Sequence, residues 1–183
     1  MLPPSFYALS LYLEGKRAQR MSTTPEICPR CGFGGKRVKT ITLRSLLRSE
    51  RETEIDEGDY FFCSTPDCDT VYFREGGGRT FSKGDSTVRV GIKESSPPRP
   101  VCYCFDHTVE EIFDEVRRTG RSTVAADIRR MMAEERCSCE TQNPQGSCCL
   151  GTVESYAREA LAGYGGKEWE PEGANVEHSP GCG

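Results

Sequence analysis

Histidine, tryptophan and long apolar runs are scarce in this chain. Its 183 residues include two histidines and one tryptophan, and hydrophobic residues make up 36% of the total, below the roughly 45–50% of an average globular protein. Because no Ser/His/Asp grouping is visible, the sequence does not predict a hydrolytic enzyme. It contains no run of about 18 apolar residues, so no membrane-spanning helix is expected.

An excess of basic charge is also lacking. The formal net charge is −4, whereas nucleic-acid-binding domains usually carry a basic surface, so we expect no nucleic-acid partner. The short apolar run Phe6–Leu13 comes before its basic residues, which is the reverse of the order in a secretory signal. Residues 1–21 are therefore interpreted as an N-terminal extension, with translation starting at Met21, and the predicted location is cytoplasmic.

Cysteine, by contrast, is abundant, with eleven residues. At close spacings in a reducing compartment, thiols are more typical of metal ligands than of disulfides. With so little apolar material, metal binding is expected to supply part of the folding free energy. The first half of the chain contains Cys28, Cys31, Cys63 and Cys68; the second contains Cys102, Cys104, Cys137, Cys139, Cys148 and Cys149. This division predicts two inorganic sites, with Cys182 left over.

The proline-rich segment 95–101 divides the chain into two parts, because closely spaced prolines favour an extended connector. Before it, strand-like patterns predominate, and after it, helical ones. We therefore predict an α+β protein, with a zinc-stabilised β-rich domain at 22–94 and a small helical domain at 102–164. The tail 165–183 is rich in glycine, proline and glutamate and is predicted to be disordered.

Local patterns predict several elements. Residues 36–47 are expected to form a strand that continues into a short helix, residues 59–63 and 70–73 a hairpin, and residues 87–92 a further strand. In the second half, Thr108 is expected to cap a helix that ends at Gly120, and Ser122 to cap the next. A third helix is expected from Thr152 to Gly163.

The first four cysteines are predicted to bind zinc. Two pairs of thiolates, each on a tight turn, meet the tetrahedral requirement of Zn²⁺, and a site closed by Cys28, Cys31, Cys63 and Cys68 is typical of structural zinc. A redox-active CxxC is the alternative interpretation. It is disfavoured because the βαβ context of a thioredoxin-like motif is absent.

The second group is predicted to hold a [2Fe–2S] cluster, which requires four cysteine ligands. Cys102 and Cys104 directly precede a predicted helix, where the positive end of the helix dipole favours thiolates. Six cysteines compete for four positions. Because the adjacent Cys148 and Cys149 are not expected to bind one cluster together, one of them is a spare thiol.

These motifs resemble a known family. The runs around Cys102-Tyr103-Cys104-Phe105, Cys137-Ser138-Cys139-Glu140 and Gly146-Ser147-Cys148-Cys149-Leu150-Gly151 are similar to the N-terminal domain of the CopZ family of copper chaperones, as are Tyr60-Phe61-Phe62-Cys63 and Pro66-Asp67-Cys68. The resemblance extends from about Cys28 to Gly151. It implies a zinc site beside a helical [2Fe–2S] domain similar to bacterioferritin-associated ferredoxin.

The resemblance also implies which residues bind the cluster. The third and fourth ligands of the family are ten positions apart, which fits Cys139 and Cys149 beside Cys102 and Cys104. Cys137 with Cys148 is the alternative and stays open. The copper-binding MxCxxC motif of the full-length family is not found in this sequence, which places direct copper delivery in question.

The resulting hypothesis is an electron-transfer protein in copper handling rather than a turnover enzyme. It would reduce Cu(II) to Cu(I), the form that soft thiolates prefer, for a copper-binding carrier or a copper-transporting ATPase. The expected cofactors are Zn²⁺ and a [2Fe–2S] cluster, with copper as a further ion. Two alternatives stay open: a module with zinc in both sites that binds a protein or nucleic acid, and an iron–sulfur sensor or store.

Overall fold

The computed structural model describes residues 26–134 and 137–164. The predicted N-terminal extension 1–21, the predicted disordered tail 165–183 and Cys182 lie outside the described residues. Within them, a sheet in the first half is followed by helices in the second, which confirms the α+β fold class.

The first half forms a four-stranded antiparallel sheet in the order β1-β2-β3-β4. Its strands are Lys36–Val38 (β1), Tyr60–Phe62 (β2), Thr70–Arg74 (β3) and Thr80–Ser82 (β4), and helices Thr40–Leu46 (α1) and Ser49–Glu52 (α2) lie between β1 and β2. Short 3-10 helices span Glu75–Gly77, Lys83–Asp85 and Gly91–Lys93. The predicted strand-to-helix segment and the β2–β3 hairpin are confirmed.

The β2–β3 hairpin separates two groups of side chains. On one face, Phe62 and Tyr72 join the main core of this half. On the other, Phe61 and Phe73 are paired across the strands and stacked with ring centroids 5.7 Å apart, and Phe73 packs against the first four cysteines. Strand alternation thus places the aromatic residues both in the core and under the metal site.

The strand predicted at residues 87–92 is wrong. The backbone N–H and hydroxyl of Thr87 both donate to the carbonyl of Leu46, and the edge of the sheet beside β3 is occupied by β4, which the patterns did not predict. The chain then turns at Gly91, where an added Cβ would lie 1.8 Å from the Pro100 carbonyl oxygen. Only glycine permits this close approach.

The second half is built from a two-stranded ribbon and helices. Its elements are Pro100–Cys102 (β5), His107–Thr108 (β6), Val109–Thr119 (α3), Val124–Ala133 (α4), Cys139–Gln142 (α5) and Leu150–Tyr164 (α6). As predicted, Thr108 caps α3 by accepting from the N–H of Glu111, and Gly120 ends it with φ +74°. Thr123, not Ser122, is the N-cap of α4, and α6 begins two residues before Thr152 because the Cys149 carbonyl accepts its first hydrogen bonds.

The two halves are in direct contact. Tyr72 lies in β3 and is fully buried, and its hydroxyl donates to the carbonyl of Pro144 at 2.9 Å. Tyr103 makes a second connection: its hydroxyl donates to the Arg89 carbonyl at 2.8 Å and accepts from the N–H of Gly91 at 2.9 Å. The domain boundaries proposed around the proline-rich segment stay a prediction, but the segment joins elements that share an interface.

Removing the Tyr72 hydroxyl should weaken this interface. In Tyr72→Phe the buried Pro144 carbonyl loses its donor, which typically costs about 1–3 kcal/mol. Urea unfolding of the metal-loaded protein would measure the loss. Tyr156→Phe is the matched control, since no described residue bonds to the Tyr156 hydroxyl; equal losses in both variants would contradict the role given to Tyr72.

A carboxylate fixes the connector to helix α3. Glu110 accepts from the backbone N–H of Arg99 at 2.9 Å and from its Nε at 2.6 Å. Burial alone would raise the pKa of Glu110, but these hydrogen bonds and the Arg99 charge outweigh it and lower the pKa below its ordinary value. The folded state therefore favours the ionised carboxyl group.

This pair should give a pH-dependent stability. Because the pKa of Glu110 is lower in the folded state, its contribution is fully present above the unfolded pKa of about 4.3 and is lost as the pH falls through the folded pKa. At pH 7, Glu110→Gln should lower the free energy of unfolding by about 1 kcal/mol, and the difference from the unsubstituted protein should shrink below pH 4. Asp114→Asn, in an exposed pair with Arg117, is the control. If Glu110→Gln still lowered the free energy of unfolding by the same amount at low pH, the role given to the ionised Glu110 would be wrong.

Candidate metal centres

The first four cysteines come from two turns that the backbone closes tightly. In the first, the N–H of Cys28 donates to the Phe33 carbonyl and the N–H of Gly32 to the Cys28 carbonyl, each at 2.9 Å. Gly32 has φ +75°, a conformation that glycine adopts without strain. In the second turn, Cys63 follows β2 directly, and the N–H of Cys68 donates to the Thr65 carbonyl at 3.2 Å.

These turns bring all four sulfurs together. The Sγ atoms of Cys28, Cys31, Cys63 and Cys68 all lie within 4.8 Å of one another, and those of Cys31 and Cys63 are 3.6 Å apart. Four sulfurs bound tetrahedrally at about 2.3 Å from one Zn²⁺ would be about 3.8 Å apart. Three of the thiols are buried and Cys31 is half-buried. The donor set and its spacing therefore fit a closed zinc site.

The acidities of these thiols show why an ion is needed. Burial would raise the pKa of Cys31, but hydrogen bonds with the Thr65 hydroxyl, the Phe33 backbone and neighbouring thiols lower it to about 6. Burial raises the pKa of Cys63 to about 12, although hydrogen bonds from Thr65 and the charge of Lys93 oppose the rise. One thiol thus ionises easily while its neighbour keeps its proton, and a bound cation must displace that proton.

Lys93 supplies buried positive charge beside this site. It is 5% exposed, and its Nζ donates to the carbonyls of Thr65 and Cys68 at 2.9 Å each. It also lies 5.9 Å from the centre of the Phe62 ring. Four thiolates around one Zn²⁺ have a net charge of −2, which this ammonium group partly offsets. Sequence reasoning missed Lys93, because nothing in its local pattern separates it from an exposed lysine.

Replacing Lys93 should therefore weaken zinc binding. Hydrogen bonds from a charged donor contribute about 1.5–3 kcal/mol, so we expect Lys93→Met to lower the zinc affinity about tenfold or more, and Lys93→Arg to recover part of it. Competition with a chromophoric zinc chelator at pH 7 would measure this. Lys39→Met, in an exposed ion pair with Glu140, is the control, and an equal loss there would argue against a specific effect of Lys93.

The second group of thiols gathers where β5 meets the helices. Cys102 and Cys149 are both buried in the core of this half, and each thiol shifts the pKa of the other. The Sγ atoms of Cys104 and Cys139 are 3.8 Å apart. Of the four predicted cluster ligands, Cys104 and Cys139 are thus in contact, and Cys102 and Cys149 lie in one buried core.

The two remaining thiols occupy different positions. The Sγ of Cys137 is 3.0 Å from that of Cys139, and Cys104, Cys137 and Cys139 all lie within 4.8 Å of one another. Cys148 is exposed and contacts the sulfur of Met132 at 3.9 Å. Helix α5, which positions Cys139 in its first turn, was not predicted; its four residues are too few for a periodic pattern.

These thiols also resist joint ionisation. The hydrogen bond with Cys149 is the main factor that lowers the pKa of Cys102, which reaches about 7 despite burial. The same hydrogen bond and burial raise the pKa of Cys149, and burial is the main factor that raises the pKa values of Cys104 and Cys139. The group therefore requires positive charge to become fully ionised, and the thiolate donor set suits zinc or iron.

The backbone also contributes to this second site. The N–H of Ser138 donates to the Sγ of Cys104 at 3.4 Å. Cys149 lies at the start of the 15-residue helix α6, where the helix dipole favours a negative sulfur.

In residues 26–134 and 137–164, no helix has the length and apolarity needed to cross a membrane.

Comparisons with known proteins agree with this geometry. Residues 25–87 match a family model of the CopZ type, described as a zinc binding domain. The copper chaperone CopZ of Archaeoglobus fulgidus is 35% identical over 122 residues, which cover 67% of this chain and 57% of that protein. The X-ray structure of the N-terminal domain of the same chaperone matches with a TM-score of 0.60 and 32% identity, over 70% of this chain and 95% of that domain.

Fold and site together define a cysteine-rich α+β metal-binding protein with a zinc-binding domain. The chain belongs to the family of CopZ N-terminal domains, which confirms that part of the predicted resemblance. It spans 57% of the length of the curated relative.

Proposed function

We propose that this protein is an electron-transfer module in copper handling, with a structural zinc site and a [2Fe–2S] cluster. In this role it passes one electron to Cu(II) and yields Cu(I) for a copper-binding carrier or a copper-transporting ATPase in the cytoplasm. The observation that carries the proposal is the grouping of these thiols: the sulfur of Cys104 contacts that of Cys139, and Cys102 and Cys149 are buried in one core. Copper is proposed as the electron acceptor because the relative is named a copper chaperone.

Two pairs of thiols suit a centre with two irons and four cysteine ligands. We assign Cys102, Cys104, Cys139 and Cys149 as the ligands, in a helical domain of the bacterioferritin-associated-ferredoxin type. Exposure supports the choice of Cys149 over Cys148, since Cys149 is 3% exposed and Cys148 is exposed. Cys139 is more buried than Cys137, although their sulfurs are close.

When bound, the cluster supplies one-electron chemistry. The protein's own residues bind it and set its surroundings. The Ser138 N–H and the start of helix α6 stabilise negative charge on the ligand sulfurs, and such hydrogen bonds and charges set the reduction potential. Buried side chains such as Val109 and Ile112 limit the access of water.

Anaerobic purification tests this assignment. We expect about two irons and two sulfides together with one zinc per chain, and an EPR signal after reduction. The double variant Cys102→Ser with Cys104→Ser should lose the iron and the ability to reduce Cu(II), while it keeps the zinc held by the other half. Unchanged Cu(II) reduction in this variant would exclude the mechanism.

Two single variants test the choice of ligands. Cys139→Ser should lose most of the iron, whereas Cys137→Ser should keep it. The reverse result would favour the alternative set with Cys137.

A second candidate function is a protein that binds zinc at both sites and acts as a binding module. The observation that favours it is the trio of Cys104, Cys137 and Cys139, whose sulfurs all lie within 4.8 Å of one another, as ligands of one zinc ion do. Two zincs and no iron in protein handled without oxygen would favour this alternative.

A further inference from the structure

An exposed pair of sulfur atoms lies beside the second metal centre. Cys148 is exposed, and its Sγ is 3.9 Å from the Sδ of Met132. Met132 lies in the last turn of α4 and packs, half-buried, against the core that contains Cys102 and Cys149. Neither Cys148 nor Met132 belongs to the assigned zinc or cluster ligands.

The chemistry of this pair is that of a soft metal site. A thiolate and a thioether together select Cu(I) over harder ions. Their separation of 3.9 Å is close to the roughly 3.8 Å between sulfurs that share one tetrahedral zinc ion, so the distance between the two sulfurs fits a shared ion.

The location of Cys148 and Met132 next to the second metal centre also supports a metal site. The sulfur of Met132 is in contact with an exposed thiol, although the Met132 side chain packs against the core. Cys148 is also adjacent in sequence to Cys149, a proposed cluster ligand. An ion held by Cys148 and Met132 therefore lies at the rim of the pocket in which electron transfer is proposed.

We propose that Cys148 and Met132 form a Cu(I)-binding site. On binding, the Cys148 thiol releases its proton to solvent and its sulfur coordinates Cu(I), while the Met132 thioether donates without a change in charge; the ion stays Cu(I). The proposal deepens the proposed copper-handling function and rests on it. It gives the protein a place to hold the product of Cu(II) reduction.

The test adds Cu(I) without oxygen to selenomethionine-labelled protein that contains its zinc and its cluster. X-ray absorption at the copper edge should show both a sulfur and a selenium neighbour. The chain has four methionines, and Met131, next to Met132, provides the control. Met132→Leu, which roughly conserves volume, should lose the selenium signal, and Met131→Leu should keep it.

Affinity gives an independent measurement. In competition with a chromophoric Cu(I) chelator, Cys148→Ser should bind the ion at least about tenfold more weakly, which corresponds to about 1.4 kcal/mol. Iron and zinc analysis of each variant checks that the other centres are intact. A copper spectrum without selenium, or an unchanged affinity in Cys148→Ser, would overturn the proposal.

This experiment separates the two proposals. Because copper is supplied as Cu(I), binding needs no electron from the cluster. Failure at Cys148 and Met132 would leave the iron content and Cu(II) reduction of the protein untouched. A chain that contains no iron, by contrast, would remove the proposed electron transfer while the Cu(I) measurement could still be made.

Discussion

The free-energy cost of ionising clustered, buried thiols is the constraint on which the rest of this structure depends. Hydrogen bonds lower the pKa of one thiol in each group, Cys31 and Cys102. Burial and neighbouring sulfurs raise the pKa values of others, such as Cys63 and Cys149. The groups become fully ionised only around cations, so metal binding and folding are coupled. With 36% hydrophobic residues, the chain has a small apolar core and relies on this coupling.

The contact between the two halves makes the centres parts of one structure. The sheet that presents Cys63 and Cys68 also places Tyr72 against Pro144, in the loop between α5 and α6 that leads to Cys149. Gly91 packs against Pro100, just before Cys102. The first half therefore helps to position the loop that leads to Cys149 and the strand that ends at Cys102.

Local signals predicted a substantial part of this arrangement. The cysteine spacings identified the four thiols that meet in the first site, and Thr108 and Gly120 correctly bounded α3, because capping depends on a few neighbouring residues. Non-local contacts were not predictable in this way. Residues 87–92 alternate like a strand, but they form none and Thr87 bonds to Leu46 instead. Lys93 is buried because the chain turns at Gly91 and brings its Nζ to the Cys68 carbonyl. The same limitation left the choice among six cysteines in the second half open, since it depends on which thiols the helices turn inward.

The two centres differ in a way that suits different roles. The first has four thiols, a buried lysine as counter-charge and no further cysteine in contact among the described residues, so its ion gains most from staying in place. The second contains more thiols than the proposed cluster would need: Cys137 is in contact with Cys139, and the exposed Cys148 lies beside Met132. A site that only stabilises the fold gains nothing from an exposed soft ligand, which is open to oxidation. In the proposed electron transfer such a ligand has a use, because the metal ion would approach from solvent and be held near the donor.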